Sequence, residues 1–371
     1  VKHSGLDYLA GELSSLRAAG LLREPAGPTD AAIRTFCSND YLGLAARPVT
    51  TVHAGGAGAS RLVLGDRSEH HQAEEAFAAY LGLPAALLFP SGYAANVGLI
   101  SALAGRGDLI ISDALNHASI VDGARLSRAE IVVVPHLDTS AVEEALKRRA
   151  AFRRVFVVTE SYFSMDADSP DLEALTKVCR AGDAVLLVDE AHALGVLGPG
   201  GRGLCANPSV GADVVVGTLG KSFGCAGAVV AGPVTLRDWL WNRARSFVFT
   251  TGVSPALAAH ATANVALVLQ ADELRVAVLA RADQLRGGMK ELGLSPPGHG
   301  PVVPWVLGSP DAALEAAARL RALGVLVQAI RPPTVPMGTA RLRFTVTAGH
   351  STEDIAYLLS AIAQVLPCLP R

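Results

Sequence analysis

One lysine stands in the stretch spanning residues 214–232, VVVGTLGKSFGCAGAVVAG. An apolar, β-branched run ends at Gly217 and a second begins at Ala228, so Lys221 sits on a tight glycine turn between two predicted strands. The flanking segments are hydrophobic and offer it no partner. Lysine is seldom buried unless it is paired or used. A desolvated ammonium loses pKa and becomes a nucleophile and base at neutral pH. The plain alternative is a solvated turn lysine, and the other strand ends decide between the two. The apolar run 184–188 leads straight into Asp189, with His192 three positions later. His117, Ser164, Asp189, His192, Thr218 and Lys221 all fall just beyond predicted strands. In open α/β sheets that carboxyl edge is where ligands sit.

The elements that must place these residues alternate in type. Strands are predicted at 85–89, 109–112, 131–134, 155–159 and 184–188, with helices at 94–104, 140–149 and 172–181 between them. That alternation is the signature of a parallel sheet with helices on both faces. Upstream, apolar spacing predicts a helix over 6–22, ended by Pro25 and AGPTD. The segment 36–44 reads as a dense turn, and 68–81 as a helix with Ser68 as N-cap and Gly82 as its stop. GGAGASR (55–61) tempts a phosphate-loop reading, but it lacks the GxGxxG spacing and no strong strand precedes it. Beyond residue 250 one long helical region is predicted over 255–292. A smaller α+β unit follows, with strands at 302–306, 325–330 and 340–347 and helices at 311–323 and 352–365. The expected organisation is an N-terminal helix and turn segment (1–45), a large α/β domain (46–289) and a small C-terminal α+β domain (290–371). Arg341 and Arg343 alternate in one strand and so share a face. That face is either a solvated edge or a carboxylate or phosphate site suited to the guanidinium fork.

Composition narrows the function. The 371 residues are 50% hydrophobic and 18% charged, with a formal net charge of -2, which is enough chain for a large core. Near-neutral charge without a basic run gives no support to nucleic-acid or anionic-membrane binding. The N-terminal stretch has no apolar core of signal-peptide type, and the five cysteines are scattered without metal spacing. The expectation is a cytoplasmic protein with reduced thiols and no metal.

A lysine that can become neutral forms a covalent bond with an aldehyde cofactor, and pyridoxal phosphate is the obvious candidate. Its ring nitrogen needs an acid, which Asp189 supplies. Its phosphate needs a helix N-terminus and hydroxyls, which Ser91, Gly92, Tyr93 and Thr218 supply. His117 could stack on the ring, and Arg343 could take an amino-acid carboxylate.

The motifs SNDYLGL, NHASI, ESYFSMDADSPDL, DEAHALGVLGPGGRG and TLGKSFGCAGA, in order over nearly the whole chain, resemble those of the α-oxoamine synthases. That family consists of fold-type-I, aminotransferase-like pyridoxal-phosphate enzymes that condense an amino acid with an acyl thioester and release CO2. The resemblance implies a large domain with a mostly parallel seven-stranded sheet covered by helices. It implies that Lys221 carries the cofactor and serves as base at Cα. Asp189 would pair with the ring nitrogen, His192 would bond the phenolic oxygen and His117 would stack on the ring. Ser164 and Thr218 would contact cofactor oxygens, and Gly92 and Tyr93 would offer N–H groups to the phosphate. Thr251 would reach that phosphate from the partner subunit of a homodimer. Asn39 and Arg343 would hold the substrate carboxylate, Arg23 would help with the far carboxylate of the acyl chain, and Thr334 would be a further substrate-binding residue. The segment AIRPPTVP, followed by GTARLRFTVTAGH, is similar to the branch that takes L-alanine and a pimeloyl thioester. Sibling branches taking glycine or serine share every cofactor residue, and a cofactor-bearing protein without turnover is the rival from another class. One departure stands out: relatives carry a helix after the SNDYLGL turn, where this chain has only AARPVTTVHA before GGAGASR. A truncated or disordered connection is expected there, at the wall of the acyl-CoA channel.

Overall fold

The computed structural model describes residues 5–23, 33–49 and 52–369. Its centre is a seven-stranded sheet: β1 (Ala85–Phe89), β2 (Leu109–Asp113), β3 (Glu130–Val134), β4 (Val155–Glu160), β5 (Val185–Asp189), β6 (Val214–Thr218) and β7 (Ala228–Gly232). The spatial order is β1-β7-β6-β5-β4-β2-β3. Only β7 runs antiparallel to its neighbours, because the Lys221 turn folds it straight back onto β6. β1, β2, β4 and β7 are buried at every residue, as expected for Val-, Ile- and Leu-rich strands covered by helices on both faces.

Local signals set the helix ends. Ser91, Asp138 and Asp171 accept from backbone N–H groups at the starts of Gly92–Leu103, Thr139–Leu146 and Leu172–Ala181. Ser351 and Asp354 form a reciprocal capping box at the start of Thr352–Val365. In Leu172–Ala181 the side chains of Leu172, Leu175, Thr176 and Cys179 are buried, the one-sided stripe of an amphipathic helix. Some expectations change. The N-terminal helix is the shorter Leu9–Ala18, and its expected stop at Pro25 and AGPTD lies outside the described residues. Ser68 is the first residue of its helix, with Arg67 at the cap position. The long helical region is two helices, Pro255–Leu269 and Asp272–Glu291, parted at Gln270 and Ala271. A further helix, Val234–Arg243, follows β7 without having been anticipated. The predicted strand at 325–330 divides at Val327 into two short pieces.

The smaller α+β unit carries a three-stranded antiparallel sheet: β8 (Val302–Gly308), β9 (Gln328–Ile330) and β10 (Ala340–Thr345), in the order β9-β10-β8. Its core includes Trp305, Leu320, Leu342, Phe344, Leu358 and Ile362. Phe36 from the N-terminal side and Ala282, Leu285 and Met289 from Asp272–Glu291 complete that core, so it is assembled from three parts of the chain. Each fully buried side chain of that size stabilises the fold by about 1.5–3 kcal/mol. Between Leu44 and Arg61 no helix occurs among the described residues. The GGAGASR loop ends in Arg61, which turns inward to bond Glu74 and Asp66. That arginine is committed to the fold, against a phosphate-binding role.

Candidate active site

Lys221 owes its position to the β6–β7 turn. Leu219 N–H donates to the Gly227 carbonyl at 2.9 Å, Cys225 N–H to Leu219 at 2.9 Å and Gly224 N–H to Lys221 at 2.9 Å. Gly224 has φ +56, and a Cβ there would lie 2.4 Å from the backbone at Leu44 and Ala45. Glycine is therefore what lets the SNDYLGL segment lie across the lysine turn. Gly195 serves the DEAHALG loop similarly: at φ +88, its Cβ would meet that of Ser222 at 2.3 Å. Burial pushes the Lys221 amine down to about 8; Asp189 and Glu160 pull the other way, and Arg343 adds to the lowering.

Asp189 ends β5 with both carboxylate oxygens engaged. Oδ1 accepts from Ala191 N–H at 2.8 Å and Oδ2 from the Asn96 amide at 2.7 Å. The same amide donates to Ser119 Oγ at 2.9 Å. Ser119 Oγ lies 2.7 Å from His117 Nδ1, and Ser119 N–H donates to that nitrogen. One chain of hydrogen bonds thus runs from the acid through Asn96 and Ser119 to the imidazole. Burial lowers the His117 pKa, and Lys221 adds to this against the opposing pull of Asp189. His192 is held well below 6.5, first by burial and then by the positive charges of Lys221 and Arg343. Both imidazoles are therefore neutral at neutral pH.

Glu160 went unremarked in the sequence, yet it pairs in register with Asp189 across β4 and β5. Its Oε1 accepts from His117 N–H at 2.8 Å. Burial, then the Asp189 charge, push its carboxyl up to about 8. The signal was available, since Glu160 closes the apolar run VFVVT as Asp189 closes VLLV. Asn96, buried in the otherwise apolar helix Gly92–Leu103, was legible in the same way.

The phosphate candidates gather at the start of that helix. Ser91 Oγ accepts from Ala94 N–H at 3.1 Å, leaving Gly92 and Tyr93 N–H in the first turn, where no intrahelical partner exists. A Cβ on Gly92 would come within 3.6 Å of Thr218 Oγ1, so helix start and strand end are adjacent. The Tyr93 side chain instead points outward, bonding Asp122 at 2.6 Å. Thr251 is exposed, in the segment that packs on the GGAGASR loop through Gly252 N–H to Ala59 O at 3.0 Å.

On β10 the two arginines are both buried, which overturns the solvated-edge alternative. Arg341 bonds Asp166 at 2.6 Å and the Met165 carbonyl at 2.9 Å. Arg343 bonds the Ser164 carbonyl at 2.5 Å, Asn39 Oδ1 at 3.0 Å and Thr345 Oγ1 at 3.1 Å. Its Nη2 is buried with no hydrogen-bond partner. Buried polar groups are rarely left so, and a guanidinium nitrogen beside an asparagine is suited to a carboxylate. Farther out, Arg23 Nη2 donates to Thr334 Oγ1 at 3.1 Å, so these two expected residues also meet.

The donor set fits pyridoxal phosphate: a half-buried amine that loses its proton near neutrality, an acid on the adjacent strand end, neutral imidazoles and a helix start for phosphate. Comparison with known proteins agrees. Residues 33–362 match the family model described as aminotransferase class I and II. The chain is 46% identical to the 8-amino-7-oxononanoate synthase of Anaeromyxobacter dehalogenans strain 2CP-1, over 98% of this chain and 97% of that one. It is 47% identical to the Methylococcus capsulatus enzyme of the same name, over 90% and 89%. Among solved structures, the serine palmitoyltransferase of S. paucimobilis, with a bound PLP–myriocin aldimine, superposes with TM-score 0.90 at 29% identity, covering 98% of each chain. The Francisella tularensis 8-amino-7-oxononanoate synthase does so with TM-score 0.77 at 26% identity, over 91% of this chain and 99% of that one. The chain belongs to the aminotransferase class I and II family, in its α-oxoamine synthase branch beside the 8-amino-7-oxononanoate synthases.

Proposed function

We propose that the protein is a pyridoxal-phosphate-dependent acyltransferase of biotin biosynthesis. It condenses L-alanine with a pimeloyl thioester to give 8-amino-7-oxononanoate, CO2 and the free thiol carrier. The observation that carries this reading is the orphaned Arg343 Nη2 beside Asn39, close enough to Lys221 that its charge helps lower the amine. Carboxylate clamp and base thus lie within electrostatic reach of one another. Lys221 would hold the cofactor, and its free amine would take the Cα proton at Nζ. When bound, the cofactor supplies an electron sink for the charge left at Cα. Asp189, fixed by Asn96 and the Ala191 N–H, would keep the ring nitrogen protonated. His117 would cover the ring, and His192, Ser164 and Thr218 would contact its oxygens. The Gly92 and Tyr93 N–H groups, with Ser91, would receive the phosphate. Arg343 and Asn39 orient alanine so that its Cα–H faces Lys221. Arg23, braced against Thr334, reaches toward the distal carboxylate of the acyl chain.

Thr251 acts, in this reading, from the partner subunit of a homodimer. The supporting observation is apolar exposure around that segment: Val63 is 79%, Leu64 69% and Phe249 73% exposed. We place the enzyme in the cytoplasm; no helix among the described residues is long and apolar enough to cross a membrane. The division at residues 45 and 289 is kept as our domain boundaries. The second reading is a sibling with other substrates, 2-amino-3-ketobutyrate CoA ligase, 5-aminolevulinate synthase or serine palmitoyltransferase. It is favoured by the serine palmitoyltransferase superposition at TM-score 0.90. Near-ultraviolet and visible absorbance of the holoenzyme tests both, with L-alanine, glycine or L-serine added before pimeloyl-CoA. A change with alanine, developed further by the thioester, is expected. A response to glycine or serine alone would move the chain to a sibling activity. Absence of any cofactor band after adding pyridoxal phosphate would end the reading.

A further inference from the structure

Tyr41, in the middle of SNDYLGL, was assigned no role from the sequence. It is fully buried, and its hydroxyl lies 2.6 Å from His192 Nδ1, which is buried as well. Ala348 N–H, from the segment after β10, donates to the Tyr41 carbonyl at 2.8 Å and holds the residue in place. A neutral imidazole carries one hydrogen, and the partner of one ring nitrogen decides which nitrogen bears it. Burial raises the Tyr41 pKa while the Arg343 charge opposes it, so the hydroxyl keeps its hydrogen at neutral pH. Arg343 has donors only and cannot accept that hydrogen, and its positive charge draws the phenolic lone pairs. The hydrogen is left to point at Nδ1.

We propose that Tyr41 is a positioning residue whose hydroxyl donates to His192 Nδ1 and so places the imidazole's single hydrogen on Nε2, as a donor for the phenolic oxygen of the cofactor. This deepens the reading above and rests on it. Without the tyrosine the imidazole is free to take the other tautomer, and the phenolic oxygen loses a fixed donor. That oxygen then becomes more basic and holds the proton shared with the Lys221 linkage more tightly.

In holoenzyme carrying Tyr41→Phe, the pH midpoint of the bound cofactor's absorbance is expected to rise by about half a unit to one unit. kcat should fall by roughly three- to tenfold while KM for alanine moves less than about twofold. His192→Gln should raise the midpoint similarly, and adding Tyr41→Phe to it should change nothing further. An unmoved midpoint in a folded, cofactor-bearing Tyr41→Phe protein overturns the proposal. The 15N shifts of His192 in the unsubstituted protein give a reading that needs no variant to fold and no cofactor to bind. A protonated Nε2 with a bare Nδ1 supports the proposal, and the reverse overturns it. Should the unsubstituted protein show no cofactor band at all, the cofactor reading fails instead, and the 15N result still decides what Tyr41 does to the imidazole.

Discussion

Two histidines stand beyond strands of the same sheet and meet opposite fates. His136, past β3 at the flank, lies between two carboxylates, Asp113 at 2.8 Å and Asp168 at 3.2 Å. Burial would lower its pKa, but those two hydrogen bonds and charges push it up to about 10. His192, past β5 near the centre, faces Tyr41, Lys221 and Arg343 and is held neutral. At the flank the imidazolium has a hydrogen-bonded carboxylate on each ring nitrogen, and the cluster builds structure. His136 clamps the ESYFSMDADSPDL segment through Asp168 and packs edge-on against Phe163 at 4.5 Å. The centre brings cations and acids together without completing the pairs, and Lys221, Glu160, His117 and His192 all shift toward their neutral forms. Groups poised near neutrality are what proton transfer requires. Position at the sheet edge is shared by both regions; the balance of charge tells them apart.

The sharpest way to break this contrast is at the centre. Lys221→Ala removes the amine, and turnover should fall by about three to four orders of magnitude or more, with loss of the covalent cofactor signal. A protein that keeps both would refute the assignment. Arg343→Lys keeps the charge but loses the fork, and KM for alanine should rise on the order of ten- to a hundredfold. Arg341→Lys, one pleat away on a guanidinium bonded to the Thr339 and Met165 carbonyls and to Asp166, should instead cost about 1–2 kcal/mol in denaturant unfolding, with a much smaller change in KM. If the two variants behave alike, the unpartnered Nη2 is not the carboxylate site.

Smaller effects sharpen the comparison. The rate at which apoenzyme captures added pyridoxal phosphate should climb about tenfold per pH unit as Lys221 loses its proton, and level off above about 8. A rise continuing to the ordinary lysine range would show the amine to be solvated. His136→Gln should cost about 1–3 kcal/mol of stability at pH 6 and leave the absorbance of bound cofactor untouched. Because the folded-state pKa is raised, the contribution of His136 is fully present below its ordinary 6.5 and fades as pH climbs through about 10. Unfolding of the variant and its parent should therefore converge in alkali. A gap that instead widens with pH would mean the imidazole is not charged in the fold.

Much of this was readable beforehand because the relevant signals are local. The glycine turn around Lys221, Asp189 at the end of an apolar run and Ser91 at a helix start each depend on residues a few positions apart. Glu160 carries the same local signal as Asp189, an acid closing an apolar run, and only the register pairing of their strands brings the two acids side by side. His136 showed no local sign of its role, because Asp113 and Asp168 lie 23 and 32 residues away in the chain. Nothing at Gln270 and Ala271 breaks the apolar spacing of the long helical region, yet the first helix ends at Leu269, where Arg275 Nη1 takes the Val268 carbonyl at 2.6 Å, and the second starts at Asp272.

The amino-acid order by itself determined the alternation of strands and helices, the caps, and the residue types at the sheet edge, through periodicity, φ preferences and short hydrogen bonds. Tertiary structure alone decided which of those side chains are charged. A pKa depends on burial and on charges brought from distant segments, as when Arg343 from β10 comes to bear on Lys221 and His192. It also decided that Arg341 would be a strut and Arg343 a hand left open. Both point from the same face of one strand, and only the folded loop at Ser164 to Asp166 supplies partners enough for one and not the other.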